Sequence, residues 1–149
     1  MIQFFVPGIP APGGSKKYVG HSKAGKAILT DAGGAKTRNW RDAVACEARR
    51  AMGSSPLYSE PVEVWMTFFM PRPKGHYGSG RNSDILKPSS PKYPTTKPDA
   101  LKLARSTEDA MTGIVWTDDS ISVDLNIRKR YARKTGATGV KIVIHAMDN

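Results

Sequence analysis

The chain has 149 residues, and its 23 Lys and Arg against 13 Asp and Glu give a formal net charge of +10. This charge indicates a polyanionic partner, with nucleic acid first and an anionic membrane surface as the weaker alternative. No run reaches the roughly 18 apolar residues of a membrane span, and the first residues lack the pattern of a signal peptide. The single cysteine, Cys46, excludes an intrachain disulfide and a cysteine-based zinc cluster, so we expect a cytoplasmic protein.

The first third of the chain predicts one strand, a long loop and one helix. Residues 2–6 are apolar and predict a strand that is buried on both faces. Residues 7–34 are rich in Gly, Pro, Ser and Lys and predict a loop, with a short strand at 27–30 as an option. Residues 35–52 predict a helix with a basic surface, ended by Gly53. This helix is either a solvated amphipathic helix or one that also touches DNA.

A strong strand and then a long basic segment follow. Residues 61–70 alternate as a strand does, and the apolar second half predicts a central position in a sheet. Residues 71–97 contain six Lys and Arg against one acid, Asp84, and are interrupted by prolines. A loop of this length is functional or disordered, so the segment is either a DNA-binding loop or a solvated linker. The side chains that could follow a phosphate backbone are Lys74, His76, Arg81, Lys87, Lys92 and Lys97, with Tyr77 and Tyr93 as stacking partners.

The last third predicts a helix and two strands. Residues 98–111 predict a helix that starts in a capping box formed by Thr96 and Asp99. Residues 121–131 and 140–146 predict strands that form an antiparallel hairpin. The first of them ends in a basic run of Arg128, Lys129, Arg130, Arg133 and Lys134. We therefore expect one α+β domain over residues 1–149, with a mixed sheet in the order β-α-β-α-β-β and a long basic loop at 71–97.

Carboxylates are concentrated in one part of this basic chain. Five of the 13 acids lie between positions 99 and 119, namely Asp99, Glu108, Asp109, Asp118 and Asp119. Such a cluster repels itself unless a cation is present, and magnesium takes one or two carboxylates from protein. The link from Gly113 to Asp119 would span roughly 20 Å if extended, about the length of the helix. Asp119 could therefore return to Asp99 at the helix start and share a metal ion with it.

Each of these residues also has a simpler interpretation. Asp99 could be only a helix cap, and Asp118-Asp119 could be only a turn before a strand. Asp109 is expected to pair with Arg105 four residues earlier. The three histidines show no metal-ligand spacing.

Three segments carry a more specific pattern. Residues 97–105 read KPDALKLAR, residues 108–113 read EDAMTG, and residues 116–121 read WTDDSI. This pattern resembles the RusA-type Holliday-junction resolvases, which are common in phages and prophages. Their signature is approximately Pro-Asp-x-Asp-[Asn/Lys]-Leu-x-[Lys/Arg], then Asp-Ala-Leu, then Asp-Asp-x-x-[Ile/Val]. The order of elements is also similar, so the resemblance covers most of the chain.

The resemblance implies a homodimer that binds branched DNA, above all four-way junctions, and makes paired nicks with Mg²⁺ or Mn²⁺. It implies a phage-encoded protein in a bacterial host, with a function in DNA recombination and repair. The residues that match the family motif are Asp99, Asp119, Asp118 and Asp109 as acids, and Lys102 and Arg105 as basic helix positions. On this pattern Asp99, Asp119 and Asp118 would hold the metal, and Lys102 and Arg105 would position phosphate.

The chain departs from the family at one position. The second acid of Asp-x-Asp is Leu101 here, and a leucine cannot ligate a metal. Either Glu108 or Asp109 supplies the missing ligand, or the protein binds junctions with little or no cleavage. A more distant alternative is a basic RNA-binding or ribosome-associated protein.

Overall fold

The computed structural model describes residues 1–13, 16–31 and 34–148, and it has the α+β fold that the sequence predicts. The elements along the chain are β1 (Ile2–Pro7), β2 (Lys16–His21), β3 (Ala27–Asp31), α1 (Gly34–Met52), β4 (Val62–Met70), α2 (Ala100–Met111), β5 (Ser122–Tyr131) and β6 (Gly139–Ala146). Short 3₁₀ turns lie at Lys74–His76, Gly80–Asn82 and Asp119–Ile121.

Four strands form a mixed sheet in the order β1-β6-β4-β5. β4 is central, as predicted, and it runs antiparallel to β6 and parallel to β5. The predicted hairpin between the last two strands is wrong, because β6 enters between β1 and β4. Their side chains explain this order: Val140, Ile142 and Ile144 of β6 are fully buried, whereas Val123 and Leu125 of β5 are exposed. The more apolar strand takes the inner position, and β5 is left at the edge.

The segment before α1 and the first strand also differ from the prediction. β1 is an edge strand in which only Val6 is buried and Phe5 is 36% exposed, so its predicted burial on both faces is wrong. β3 confirms the optional strand at 27–30. Its antiparallel partner β2 was predicted as loop, because Lys16–His21 carries no alternation and contains a bulge between Tyr18 and Gly20.

Both long helices pack on the same face of the sheet. The buried residues of β4, such as Val64 and Met66, meet Val44 of α1 and Leu103 of α2 in one core cluster. Glu63, Trp65, Thr67 and Phe69 alternate with them, and this second set is half-buried on the opposite face. The sheet therefore has a helix-covered face and an open face.

Two buried hydrogen bonds fix α2 in place. Trp40 of α1 donates its indole N–H to Thr107 Oγ1 of α2 at 3.1 Å, and Ser106 Oγ donates to the Ala11 carbonyl at 2.6 Å. The start of α2 differs from the predicted capping box, because Asp99 is itself the N-cap residue and its side chain makes no capping hydrogen bond. Among the described residues no helix is long and apolar enough to cross a membrane.

The strand order predicts that truncating an inner-strand side chain and an edge-strand side chain to alanine lowers the free energy of unfolding by different amounts. Ile142→Ala on inner β6 should lower the free energy of unfolding by about 2–5 kcal/mol, because it leaves a cavity in the core. Leu125→Ala on edge strand β5 should cost less than about 1 kcal/mol, because its side chain is already partly in water. Urea unfolding followed by circular dichroism measures both, and equal losses would contradict this order.

Candidate active site and nucleic-acid interface

A small open pocket lies between α2 and the first half of β5. Its volume is about 270 Å³. The side chains that line it are Leu101, Ala104, Arg105, Glu108, Asp109, Asp119, Leu125 and Ile127. The acids of the predicted cluster that converge here are therefore Glu108, Asp109 and Asp119, and we call this site the acid pocket.

Glu108 and Asp119 lie close enough to perturb each other. The pKa of Glu108 is raised from 4.5 to about 6, mainly by burial and next by the negative charge of Asp119, against a small lowering by the Ser122 hydroxyl. Glu108 Oε2 and Ser122 Oγ are nevertheless both buried, and neither has a hydrogen-bond partner of good geometry among the described residues. A buried carboxylate oxygen without a donor, facing a second carboxylate, is costly unless a cation or a proton is present.

Asp118 fixes the turn that presents Asp119. Its Oδ1 accepts a hydrogen bond from the Ser120 backbone N–H at 2.8 Å, at the start of the 3₁₀ turn Asp119–Ile121. The same contact lowers the pKa of the exposed Asp118 carboxyl. Asp118 is therefore engaged with the backbone, and its neighbour Asp119 faces the acid pocket.

The acid pocket places Asp119 beside Glu108, and Asp99 is not among the residues that line it. Asp119 meets Glu108, which lies nine residues after Asp99 and hence about 13 Å further along the helix axis. The link between them is not extended, because Gly113 N–H donates to the Trp116 carbonyl at 2.6 Å and Val115 N–H donates to the Met111 carbonyl at 2.9 Å. Val115 and Trp116 are fully buried, so this folded link keeps Asp119 at the end of α2.

The two basic helix positions have different neighbours. Lys102 Nζ lies 3.9 Å from Asp99 Oδ2, with both side chains well exposed, so this ion pair contributes little to stability. Arg105 lines the acid pocket beside Glu108 and Asp109. The expected ion pair between Arg105 and Asp109 is not present, and neither residue has an ion pair with any described residue.

The loop 71–97 packs onto the end of β5, so the two predicted basic segments do meet. The Arg72 guanidinium lies 4.1 Å from the centre of the Tyr131 ring and donates a hydrogen bond to the Pro91 carbonyl at 2.8 Å. Lys134 lies 4.6 Å from the centre of the Tyr77 ring, which is only 8% exposed. The loop is thus folded against the domain. Tyr77 is a buried anchor and has no free ring face for a base.

The remaining predicted DNA-binding side chains are distributed over this loop and the turn after β5. Arg130 lies 5.1 Å and Lys92 5.4 Å from the centre of the Tyr93 ring, and His76 meets Tyr131 edge-on. The exposed basic residues without such a partner are Lys74, Arg81, Lys87, Lys97 and Arg133. We call these residues, together with Arg72, His76, Lys92 and Lys134, the basic surface.

Strand alternation divides the predicted basic run of β5 between two faces. Lys129 points to the helix side and donates hydrogen bonds to the Thr96 and Pro98 carbonyls at 2.7 and 2.9 Å. It thereby holds the chain that leads into Asp99. Arg128 packs over Trp65 at 5.3 Å and so lies on the open face of the sheet.

Sequence reasoning missed a larger groove next to Lys129. The groove has a volume of about 970 Å³ and lies between the residue 7–12 loop, the start of α1 and the two ends of the basic loop. Seven of its nineteen lining residues are prolines, and Lys36, Lys97 and Lys129 are its basic members. The two proline-rich segments were the available signal, but only the fold places them side by side.

A basic α+β domain that carries both a carboxylate pocket and a cationic, aromatic surface has the features of a nucleic-acid-processing protein. The family model described as Endodeoxyribonuclease RusA matches residues 7–144 of the chain. The chain is also similar to the uncharacterized protein YqaN of Bacillus subtilis (strain 168), with 30% identity over 136 residues and 89% of each chain covered. The protein belongs to the RusA family of endodeoxyribonucleases.

The Glu108–Asp119 contact predicts a pH-dependent stability in metal-free buffer. In the folded protein the Glu108 carboxyl keeps its proton up to about pH 6, because its pKa is raised to about 6 from the ordinary pKa of 4.5. The native state therefore binds more protons in that window, and stability falls as pH rises through it. Glu108→Gln should be more stable than the parent at pH 8 by roughly 1 kcal/mol, a value reduced for solvent screening, and equal to it at pH 4.5.

Urea unfolding in EDTA at the two pH values measures this difference. Glu60→Gln, at an exposed position, is the matched control and should change stability at neither pH. A Glu108→Gln variant that is no more stable at pH 8 than the parent would contradict the raised pKa of Glu108.

Proposed function

We propose that the protein is a structure-specific endodeoxyribonuclease that resolves four-way DNA junctions by metal-dependent hydrolysis of phosphodiester bonds. Membership of the RusA family supports nuclease activity on branched DNA. The observation that carries the metal-dependent part is the buried, unpartnered Glu108 Oε2 facing Asp119 in the acid pocket. In this chain Glu108 would replace the carboxylate that the family motif has at the position of Leu101.

The donor set of the acid pocket fits a hard divalent ion, Mg²⁺ or Mn²⁺. In the described part of the chain, no three His, Cys, Asp or Glu side chains are placed so that together they could hold a metal ion. Magnesium needs only one or two protein carboxylates, and water and phosphate oxygens fill the rest of its shell. Glu108 and Asp119 would hold the ion, and a cation between them would offset both causes of the raised Glu108 pKa, which are burial first and the charge of Asp119 second.

The chemistry that a bound divalent ion supplies is polarisation of a phosphoryl oxygen and stabilisation of the charge that develops there. The protein's own groups complete the site. Arg105 lines the same pocket, and its planar guanidinium suits a bidentate contact with a phosphate. Asp118 holds the turn that aims Asp119. Lys102, next to Asp99 at the start of α2, lies where it can position the neighbouring phosphate.

We also propose that the working form is a homodimer, because paired nicks on a two-fold symmetric junction need two sites. Edge strand β5 supports this proposal, since it has a strand neighbour on one side only. Its side chains Val123 and Leu125 are 60% and 40% exposed. Sedimentation equilibrium measures the oligomeric state directly.

A second function has its own support, namely junction binding with little or no cleavage. Leu101 is 73% exposed at the edge of the acid pocket, so an apolar side chain stands where the family motif has a carboxylate. An active protein should nick a synthetic four-way junction with Mg²⁺ or Mn²⁺ and should not nick it in EDTA. Equal cutting in EDTA would exclude the metal mechanism, and binding without cutting in either metal would favour this second function.

Substitution of the acids distinguishes a metal site at Glu108 and Asp119, to which the ligand of position 101 has been relocated, from a metal site at the start of α2 beside Asp99. Asp119→Asn and Glu108→Gln should each lower single-turnover cutting at least 100-fold and leave junction binding unchanged or tighter, because a charge that repels phosphate is removed. Asp99→Asn should lower cutting less, because Asp99 lies about 13 Å from the pair along the helix. Leu101→Asp should do little if Glu108 has taken over the ligand role.

The relocation fails if Leu101→Asp increases cutting while Glu108→Gln cuts normally. It also fails if Asp99→Asn is as damaging as Asp119→Asn. Asp42→Asn on α1, outside the acid pocket, is the matched control and should cut at the parental rate.

Junction binding should depend on the basic surface and on salt. Affinity should fall with salt by a log–log slope of about 0.9 for each phosphate contacted. The triple change of Lys74, Arg81 and Lys87 to Gln should reduce that slope by about 2 to 3, since these side chains are exposed and replaceable. Lys23→Gln with Lys26→Gln, in the turn between β2 and β3, is the control; an equal reduction there would show nonspecific charge effects.

A further inference from the structure

The open face of the sheet, opposite both helices, carries aromatic side chains. Phe5 of β1 and Phe69 of β4 meet with ring centres 6.5 Å apart and planes inclined at 46°. Trp65, four residues before Phe69 on the same strand, carries the Arg128 guanidinium 5.3 Å from its ring centre. These three rings are at least partly exposed, whereas Trp40 and Trp116 are buried in the core.

The arrangement of the two phenylalanines depends on a glycine between them. Gly139 of β6 pairs with Phe69, and a Cβ added to it would stand 2.8 Å from the edge of the Phe5 ring. Its φ of 148° is also one that other residues rarely adopt. The absence of a side chain at Gly139 therefore lets the Phe5 ring edge approach the inner strand, and the ring lies beside that of Phe69.

Cations border these rings on the same end of the face. Lys141 lies between Phe5 and Thr67 in the strand register, and Arg128 follows Thr67 in the same row. Arg130 is next to Phe69. The acids of this face, Glu63 and Asp124, pair at the opposite end together with His145. The aromatic end of the open face is thus the cationic end.

We propose that this end of the open face binds single-stranded DNA. Unstacked bases would lie on Phe5, Phe69 and Trp65, and phosphates would be held by Lys141 and Arg128. A four-stranded sheet that exposes aromatic rings beside basic side chains is a general platform for single strands, because every base has a π-face. Duplex bases are hidden in their own stack, so the face should prefer single strands.

Charge favours a nucleic acid over a second copy of this chain as the occupant. A protein interface would have to remove Lys141 and Arg128 from water, and the two carboxylates of the face lie at its other end. A DNA strand brings its own negative charges to the cations. The face lies on the opposite side of the sheet from the acid pocket, so binding there needs neither the metal nor cleavage and goes beyond the proposed function.

Fluorescence tests the proposal without any label on the protein. Of the three tryptophans only Trp65 is more than 2% exposed, so oligothymidylate added in EDTA should quench its emission. Trp65→Phe should remove the quenching and keep most of the affinity measured by anisotropy of labelled oligothymidylate. Unchanged parental emission at saturating oligothymidylate would overturn the proposal.

Aromatic and aliphatic variants separate stacking from simple apolar contact. Phe5→Leu and Phe69→Leu should each weaken oligothymidylate binding roughly 5-fold or more, whereas Phe5→Tyr and Phe69→Tyr should bind as the parent does. Lys141→Gln should lower the log–log salt slope by about 0.7. Leu57→Ala, at a 41% exposed apolar position outside the open face and the acid pocket, is the control and should bind normally. Circular dichroism confirms that each variant is folded.

Two further results would also overturn the proposal. The first is parental affinity for oligothymidylate in both leucine variants. The second is a sedimentation equilibrium in which Lys141→Glu with Phe5→Ser turns a dimer into monomer, since the face would then contact a second copy of the chain. Loss of single-strand binding with normal junction cutting would leave the proposed nuclease function intact, so the two proposals fail separately.

Discussion

The orientation of α2 about its own axis determines which of its side chains face the core and which face the acid pocket. Leu103, Thr107 and Met111 are fully buried against the core, and the bond from Trp40 to Thr107 prevents the helix from turning about its axis. With that side of the helix fixed, the side that carries Leu101, Arg105 and Glu108 must face β5. The acid pocket is therefore a consequence of core packing, although none of its charged groups belongs to the core.

The elements and the family motif could be predicted from the sequence, whereas the neighbours of each element could not. Alternation gave β4 and β5 to within a residue, whereas the spacing argument placed Asp119 beside Asp99 and not beside Glu108. The position of β6 depends on a comparison of buried surfaces between strands, which no local pattern contains. The distance from Gly113 to Asp119 was misjudged because Val115 and Trp116 fold into the core, so an upper bound on chain length was not the actual path.

The departure of this chain from its family motif has a helical explanation. Positions 101 and 108 are seven residues apart, close to two turns, so they lie on the same side of α2. The chain has leucine at the first position and glutamate at the second, and both line the acid pocket. Glu108 lies at the end of the helix where the turn Asp119–Ile121 returns. The proposed relocation of the metal ligand from position 101 to position 108 would therefore keep the pocket and place the ligand closer to Asp119.

The alternation of a single strand also explains why the protein has more basic groups than one interface needs. Along β5, Lys129 and Tyr131 point toward the helices and the basic loop, whereas Arg128 packs over Trp65 on the open face. Arg130 pairs with Phe69 in the strand register, but its guanidinium lies over Tyr93 of the basic loop. A run of cations that is continuous in sequence is thus split between opposite sides of the sheet. A DNA that branches can meet both sides at once, since its arms leave the branch point in different directions, and a linear duplex can meet only one. The same constraint that separates the two sets of cations therefore favours a branched partner.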